Sequence, residues 1–312
     1  MVFLCKLNSL AHFWTVWPGK IAAMAFDTHI GIGHRRSGEM TRSSGRFYPQ
    51  LAERTPTSVS GHATSSIVIP AYNESARIDA TLREVVSCIR AGGWNAEVIV
   101  VNDGSTDSTA RQILDFSISA PEVRLLENPG NHGKGYSVRH GLLEAQGEIV
   151  MFTDADLSAP IREAERLFDA IHNGADIAIG SRWLDRSRQV QRQPLYRQLF
   201  GRCFNLITRT LMGLRFADTQ CGFKAFTRQA AQTVFQLQTI EGWGFDPEIL
   251  FIARKRHLRV AEVAVTWGHD ERTRINYLRD GFHMLREMAT VRWNAMLGRY
   301  SGPIRPIERP TA

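Results

Sequence analysis

Short apolar runs alternate with amphipathic segments along residues 65 to 181. The apolar runs are five or six residues long and rich in aliphatic side chains, which is typical of buried strands. They occupy residues 66–70, 97–101, 123–127, 148–153 and 176–181. The segments between them place apolar residues three or four positions apart, as on one face of a helix. This alternation predicts an α/β domain with a mostly parallel sheet that helices cover on both faces.

The predicted helices have recognisable boundaries. The first, in "ESARIDATLREVVSCIRAGG", keeps its apolar residues on one face and ends at Gly92 and Gly93. The second follows capping residues in "DGSTDST", the third follows the glycine-rich "GNHGKG", and the fourth has Pro160 near its first turn. In such Rossmann-like sheets ligands bind beyond the carboxyl ends of the strands. We therefore expect the chemistry in the loops after strands one, two and four.

Acidic residues follow each of those three strands. Glu74 comes after the first strand in "PAYNE", and Asp103 comes after the second in "NDGSTDST". Asp154 and Asp156 come after the fourth in "TDAD", where two like charges this close repel each other and lose solvation. A divalent cation, Mg²⁺ or Mn²⁺, that joins these carboxylates to an anionic ligand would offset that cost.

The aspartate pair also has a simpler interpretation. Asp154 would cap the next helix and Asp156 would be a solvated turn residue, because aspartate is common at both kinds of position. For the pair alone this interpretation is favoured. The acidic residues after the other two strands favour the cation instead, because they add negative charge at the same edge of a basic protein.

The chain has 312 residues and a formal charge of +7, which suits an anionic partner. Nucleic acid, a phosphorylated ligand and a membrane surface all fit that charge. The sequence contains neither an aromatic-rich basic platform nor a zinc motif, so we expect no nucleic-acid partner. No G-x-G-x-x-G follows the first strand, which argues against a Rossmann dehydrogenase.

Residues 1–63 are expected to form a poorly ordered extension, with the domain itself covering residues 64–268. Charged residues and Pro18 interrupt the apolar start, which is too short to span a bilayer and makes a poor signal peptide. Met24 or Met40 is an alternative translation start. The four cysteines lie far apart and form no zinc or disulfide pattern, so a reducing, cytoplasmic setting is expected.

Residues 269–312 are expected to form a basic amphipathic helix and a tail. The apolar residues near one face of the helix are Leu278, Phe282, Leu285, Met288 and Met296, and its charges are Arg279, Arg286, Arg292 and Arg299. Such a helix can lie in a bilayer interface, or it can pack on the sheet with a solvated arginine face. The segment 196–214 presents the same choice between a membrane helix and a core helix.

Several motifs, in this order and spacing, resemble family 2 glycosyltransferases with the GT-A fold. They are "SIVIPAYNESARI", "VIVVNDGSTDST", "GKG" and "DADLS", and the resemblance extends from about Ser65 to Trp267. Further along, "DTQCGFKAF", "EGWGFDPEILFIARK" and "EVAVTW" resemble the branch that makes polyprenyl-phosphate sugars, most closely the dolichyl-phosphate β-glucosyltransferases. The resemblance implies inverting transfer of a sugar, expected to be glucose, from a UDP-sugar donor to dolichyl or undecaprenyl phosphate.

The implied acceptor is embedded in a membrane. Because no segment spans a bilayer, we expect peripheral attachment to the membrane surface, at its cytoplasmic face. Three alternatives remain open: a glycan hydroxyl as acceptor, GDP-mannose as donor, and an idle protein that only binds a nucleotide sugar. The intact pair Asp154 and Asp156 argues against the last of these.

The resemblance also implies a donor site. The residues expected to bind the nucleotide sugar are Pro70, Ala71, Tyr72, Glu74, Asp103, Gly104, Lys134 and Asp154. Asp154 and Asp156 would bind the metal, with Asp156 also catalytic, and Lys134 would approach the diphosphate at a helix N-terminus. An ordinary exposed lysine is the alternative for Lys134. Asn102 replaces an aspartate that is common in relatives, and Ser158 stands where some mannose enzymes carry a glutamine that binds the metal.

The acceptor site is assigned in the same way. A phosphate monoester, with a second pKa of about 6, is largely dianionic at neutral pH and needs cations rather than a general base. Arg182 and Arg197 match arginines that bind acceptor phosphate in mannose-transferring relatives, and Lys224 is a further candidate. A helix-surface charge is the alternative for Arg197. Arg182 and Asp246 are expected to be catalytic, and a helix N-cap before Pro247 is the alternative for Asp246.

Overall fold

The computed structural model describes residues 64–188, 195–268 and 277–304, with side chains except those of residues 186, 195–200 and 277–280. The predicted extension over residues 1–63 and the end of the predicted tail lie outside the described residues. Their boundaries therefore stay predictions.

The described residues form one mixed sheet. Its strands are β1 Ser65–Ala71, β2 Ala96–Asn102, β3 Val123–Glu127, β4 Ile149–Thr153, β5 Ile177–Ser181, β6 Phe223–Thr227 and β7 Val260–Ala264. The strand order is β3-β2-β1-β4-β6-β5-β7, and only β6 runs antiparallel to its neighbours. The predicted mostly parallel sheet is confirmed, and its first five strands match the predicted runs to within one or two residues.

Eight α-helices are found in the same part of the chain. They are α1 Ile78–Ala91, α2 Thr109–Ser117, α3 Lys134–Glu144, α4 Ala164–His172, α5 Leu195–Met212, α6 Arg228–Phe235, α7 Phe245–Lys255 and α8 Tyr277–Met296. A 3-10 turn, Ile161–Glu163, precedes α4, so Pro160 lies before that turn rather than in the first turn of α4. The first helix ends at Ala91 as expected, because Gly93 adopts φ +62°.

Helices cover the sheet on both faces because alternate strand residues point to opposite sides. In β1, Ile67 and Ile69 pack in one cluster with residues of α1, α2 and α4. Val68 packs in the other cluster, with residues of α3 and α5 to α8. Both faces of the central strands are therefore buried, which explains why these strands read as continuous apolar runs.

The C-terminal helix α8 packs on the core. Met288 and Val291 are fully buried in the cluster that α7 also joins. Beyond the helix, Tyr300 is buried and donates a hydrogen bond from Oη to Glu248 Oε1 at 2.7 Å. The packed-helix interpretation therefore holds for this face of α8. Within the described residues, no helix has the length and apolar character needed to cross a membrane.

The topology gathers several loops at one edge of the sheet. The parallel strands β1, β2, β4 and β5 end together at this edge. The antiparallel strand β6 starts there, with Phe223 opposite Thr153 at the end of β4. The segment before β6 therefore lies at the same edge as the two aspartates that follow β4.

Candidate active site at the carboxyl edge of the sheet

The two aspartates after β4 have different surroundings. The Asp154 carboxylate forms an ion pair with Lys134. Asp156 Oδ1 accepts a hydrogen bond from the backbone N–H of Ser158 at 2.9 Å. Burial, and then the charge of Asp154, raises the pKa of Asp156, so added positive charge would stabilise its ionised form. The alternative in which Asp154 caps the next helix is wrong, because Pro160 and Glu163 are the residues before the 3-10 turn and α4.

Lys134 is the first residue of α3, directly after Gly133, whose φ of +104° needs a glycine. Its ammonium contacts Asp154 and lies 5.3 Å and 5.9 Å from the ring centres of Trp243 and Phe245. Burial alone would lower the pKa of Lys134, but Asp154 and Asp246 raise it, so the ammonium stays charged. An ordinary exposed lysine does not fit these surroundings.

Asp103 organises the glycine-rich loop before α3. Its carboxylate accepts hydrogen bonds from the backbone N–H groups of His132 and Gly133 at 3.0 Å and 2.8 Å, and from Asn128 Nδ2 at 2.7 Å. A Cβ on Gly104 would lie 2.6 Å from the backbone of Gly130, so only glycine fits there. Contact of Asp103 with uracil or ribose stays a prediction.

The loops after β1 and β2 are hydrogen-bonded to each other. The Asn73 side-chain oxygen accepts a hydrogen bond from the backbone N–H of Thr106 at 2.8 Å. The backbone N–H of Asn73 donates to Ser105 Oγ at 2.9 Å. Glu74 is three residues beyond β1 and forms an ion pair with Arg77 at 2.8 Å. Tyr72 is exposed beside Pro70 and Ala71, which end β1. Their contact with a nucleotide stays a prediction.

Arg182 and Asp218 form a two-pronged ion pair just after β5. Arg182 Nε and Nη2 donate to the two carboxylate oxygens at 2.6 Å and 2.9 Å, and the Arg182 backbone N–H donates at 3.1 Å. Burial would raise the pKa of Asp218, but Arg182 keeps it below its ordinary value. Asp218 is in turn fixed by Glu262, which accepts from its backbone N–H at 2.8 Å.

Lys224 and Asp246 form a second buried ion pair. Lys224, on β6, has no exposed surface; its ammonium contacts the Asp246 carboxylate and donates to the Cys221 carbonyl at 2.7 Å. This burial argues against the prediction that Lys224 contacts acceptor phosphate. Burial raises the pKa of Asp246 above its ordinary value, and the neighbouring charge of Lys224 only partly opposes this rise. The N-cap alternative for Asp246 is wrong, because Asp246 lies inside the first turn of α7 and Gly244 is the N-cap.

These ion pairs belong to one charge cluster. Its carboxylates are Asp154, Asp156, Asp218 and Asp246, and its cations are Lys134, Arg182 and Lys224, which leaves one net negative charge. No group of three or more acidic, His or Cys side chains suited to a metal occurs among the described residues. The aspartate pair still fits Mg²⁺ or Mn²⁺, which take one or two protein carboxylates and complete their shell with substrate phosphates.

Sequence reasoning missed two residues that hold the site in place. A Cβ on Gly222, just before β6, would overlap with the Asp154 carboxylate. Glu287, on α8, accepts a hydrogen bond from the Gly244 N–H at 2.8 Å, at the start of α7. The glycine in "DTQCGFK" was a visible signal of close packing. No sequence pattern places α8 against the start of α7.

Arg197 lies on α5, but its side chain is outside the described residues, so its role stays a prediction. Trp243 is half exposed beside Lys134, whereas its neighbour Phe245 is fully buried in the core. Trp243 is therefore available to a ligand at this edge of the sheet.

Comparison with known proteins identifies the family. Residues 66–235 match the family model described as Glycosyl transferase family 2. The chain belongs to this family. A dolichyl-phosphate beta-glucosyltransferase of Trichomonas vaginalis is 42% identical over 216 residues, which are 65% of this chain and 64% of the relative. Proteins of the same name from Dictyostelium discoideum and Saccharomyces cerevisiae are each 32% identical over 75% of this chain and 75% and 76% of their own lengths.

A solved structure shows the same fold. It is glucosyl-3-phosphoglycerate synthase from Mycobacterium tuberculosis in complex with Mn²⁺, UDP and phosphoglyceric acid. It is 22% identical, superposes with a TM-score of 0.54, and the match covers 77% of this chain and 80% of the other. The glycosyltransferase has the GT-A fold that its motifs predicted. Its match covers 64% of the Trichomonas relative's length and 75% of the Dictyostelium relative's length.

Proposed function

We propose that this glycosyltransferase transfers glucose, with inversion, from UDP-glucose to a polyprenyl phosphate. Relatives named dolichyl-phosphate beta-glucosyltransferase support both substrates. The observation that carries the proposal is that the buried acids at the sheet edge are already paired. Asp218 is held by Arg182 and Asp246 by Lys224, so neither is poised to take a proton from a hydroxyl. An acceptor that is already anionic needs no such base.

The donor site is proposed at Asp154, Asp156 and Lys134. The two carboxylates would hold a divalent cation, which stabilises the negative charge that develops on the departing diphosphate. Lys134 adds a cation at the N-terminus of α3, where backbone N–H groups also favour anions. Complexes of a structural neighbour with UDP and Mn²⁺ or Mg²⁺ support such a donor site in this fold.

Arg182 is proposed to position the acceptor phosphate. Its guanidinium lies at the carboxyl end of β5, fixed by Asp218 on one side and 5.6 Å from the ring centre of Trp267 on another. A phosphate held there attacks the anomeric carbon from the face opposite the leaving UDP, which inverts its configuration. Asp246 would then act through its ion pair with Lys224 and by raising the pKa of Lys134, rather than by proton transfer.

The outer faces of α5 and α8 are proposed to meet the cytoplasmic surface of the membrane. Both helices pack outside α7, whose residues 245–253 are all buried. Large apolar side chains remain exposed on them and just after α8: Leu206, Ile207, Leu211, Phe282, Trp293, Met296 and Leu297. Exposed aromatic and aliphatic residues among arginines suit the interface of a bilayer, where the acceptor lipid lies.

The donor half of the proposal is tested by transfer of radiolabelled sugar to a polyprenyl phosphate in detergent. UDP-glucose and GDP-mannose are compared, with and without Mn²⁺, for the wild type, Asp156→Asn and the matched surface variant Asp115→Asn. Labelled lipid from UDP-glucose alone, dependent on Mn²⁺ and lost only in Asp156→Asn, is expected. Metal-independent transfer, or equal transfer by Asp156→Asn, would contradict the proposed metal site.

A further inference from the structure

A cavity of about 200 Å³ lies beside the ion pair of Arg182 and Asp218. Its walls are Trp183, Arg202, Asn205, Leu206, Arg209 and Ala217. Trp183 follows Arg182 in the chain and Ala217 precedes Asp218, so the cavity adjoins the residue that we propose for the acceptor phosphate. Pockets that hold whole drug-sized ligands measure roughly 300 to 1,000 Å³, so this cavity suits a smaller group than a nucleotide sugar.

The cavity is positively charged. Neither Arg202 nor Arg209 has a carboxylate partner in the described part of the chain, unlike Arg182. Arg209 Nε is shielded from solvent and makes no hydrogen bond to any described residue. Arg202 and Arg182 lie 5.2 Å and 5.9 Å from the ring centre of Trp183. A shielded donor without a partner is unfavourable, and a bound anion would satisfy it.

The wall formed by Asn205 and Ala217 is held in place. Asn205 Nδ2 donates to the Ala217 carbonyl at 2.6 Å, and its Oδ1 accepts from Thr219 Oγ1 at 2.9 Å. Glu262 accepts the Ala217 N–H at 2.9 Å. Because both ends of the Asn205 amide are used within the protein, this wall is formed before any ligand arrives.

An apolar surface continues from the cavity. Leu206 lines it and is largely exposed, and Ile207 and Leu211 extend the exposed apolar face along α5. A ligand with a phosphate at one end and a hydrocarbon chain at the other would match this sequence of surfaces. The phosphate would meet the arginines, and the chain would leave over Leu206 toward the outer face of α5.

We infer that this cavity is the acceptor subsite, where Arg202 and Arg209 bind the phosphate of a polyprenyl phosphate and Trp183 and Leu206 contact its first isoprene unit. The inference rests on the proposed function and adds the residues that select the acceptor. Arg182 shares its charge with Asp218, so it cannot neutralise a phosphate dianion alone. Arg202 and Arg209 supply the remaining positive charge.

The test measures steady-state kinetics with a short, water-soluble prenyl phosphate. Arg202→Ala and Arg209→Ala are compared with wild type and with Arg215→Ala, an exposed arginine just beyond α5 that does not line the cavity. We expect the KM for the prenyl phosphate to rise about tenfold in each cavity variant, as for loss of one charge-assisted hydrogen bond. The KM for UDP-glucose should stay within about twofold of the wild-type value. The melting temperature should stay within about two degrees, because substitutions of surface residues change stability little. Arg202→Lys should recover part of the loss.

Direct binding of the prenyl phosphate, by titration calorimetry without donor, separates the possible failures. An unchanged KM and unchanged binding in both cavity variants would overturn the inference. So would weaker binding to anionic phospholipid vesicles with an unchanged KM, which would make the cavity a headgroup site. If the wild type transferred no sugar but bound the prenyl phosphate through Arg202 and Arg209, the proposed function would fail and the subsite would stand.

Discussion

At the scale of single residues, Lys134 forms an ion pair with Asp154, the carboxylate that a metal would also use. Asp154 lies two positions before Asp156. Burial and the charge of Asp154 raise the pKa of Asp156. A metal bound by both aspartates therefore competes with Lys134 for Asp154. In the proposed donor site, the same ammonium would turn to the diphosphate once UDP is bound.

This competition predicts opposite effects of one substitution. In Lys134→Met, the affinity for Mn²⁺ without nucleotide should rise several-fold, because Asp154 loses its counter-ion. The affinity for UDP in the presence of Mn²⁺ should fall about tenfold, because a cation near the diphosphate is lost. Calorimetry measures both, with Lys255→Met on the surface as the control. Parallel changes in the two affinities would contradict the competition.

Gly222 predicts a different loss. A Cβ at this position overlaps with the Asp154 carboxylate, so Gly222→Ala should displace Asp154 and weaken Mn²⁺-dependent UDP binding at least tenfold. The cost in unfolding free energy should be about 1–3 kcal/mol, as for overpacking. Gly201→Ala, with no atom near its added Cβ, is the control and should change neither quantity unfavourably. Normal UDP binding by Gly222→Ala would refute the crowding argument.

At the scale of elements, the sequence predicted β1 to β5 because both faces of these strands are buried and their apolar runs are continuous. β6 and β7 were not predicted. β6 contains Lys224, whose charge interrupts the apolar pattern, and β7 is only partly buried at the sheet edge. Both also pair with strands far away in the chain, which local periodicity does not report.

The same limit applies to the site. Asp154 and Asp156 were visible as a local motif at a strand end. The partners of Arg182 and Lys224 were not, because Asp218 and Asp246 are 36 and 22 positions further along the chain. Which acid neutralises which base depends on how β5, β6 and α7 meet, and this requires the structure.

Glu287 connects α8 to the candidate site, because its carboxylate binds the N–H of Gly244 at the start of α7. Glu287→Ala removes the acceptor of the Gly244 N–H, which should cost about 1–3 kcal/mol of unfolding free energy and raise the KM for UDP-glucose. The loop that carries Trp243 beside Lys134 would lose its support. Glu287→Gln keeps an acceptor and should recover most of both losses, while replacement of the exposed Glu84 of α1 by alanine should change neither. Stability loss without a change in KM would mean a purely structural role.

At the scale of the whole molecule, the exposed apolar side chains concentrate on the outer layer formed by α5 and α8. Phe282 and Trp293 are 70% and 59% exposed and lie about three helical turns apart on one face of α8. The fold does not need them in its core, whereas Met288 and Val291 on the opposite face are fully buried. The proposed membrane binding would therefore use a different face of α8 from the one that packs on the core.

This division predicts that membrane binding can be lost without unfolding. The double variant Phe282→Ser, Trp293→Ser should keep its melting temperature and lose tenfold or more in co-sedimentation with anionic vesicles, since two apolar side chains no longer enter the bilayer. Ile118→Ser, which removes an apolar residue that is 84% exposed on the other side of the sheet, is the control. A large drop in melting temperature with unchanged vesicle binding would show that these residues serve packing.

The most direct test of the proposed chemistry is a choice between two acceptors that differ only in the phosphate. Wild type and Arg182→Ala are incubated with UDP-glucose, Mn²⁺ and an equimolar mixture of a prenyl phosphate and the corresponding prenol, and the products are identified by mass spectrometry. We expect glucosyl phosphate lipid from the wild type, almost none from Arg182→Ala, and no prenyl glucoside from either. A glucoside of the prenol, formed equally well without Arg182, would contradict it and indicate a hydroxyl acceptor.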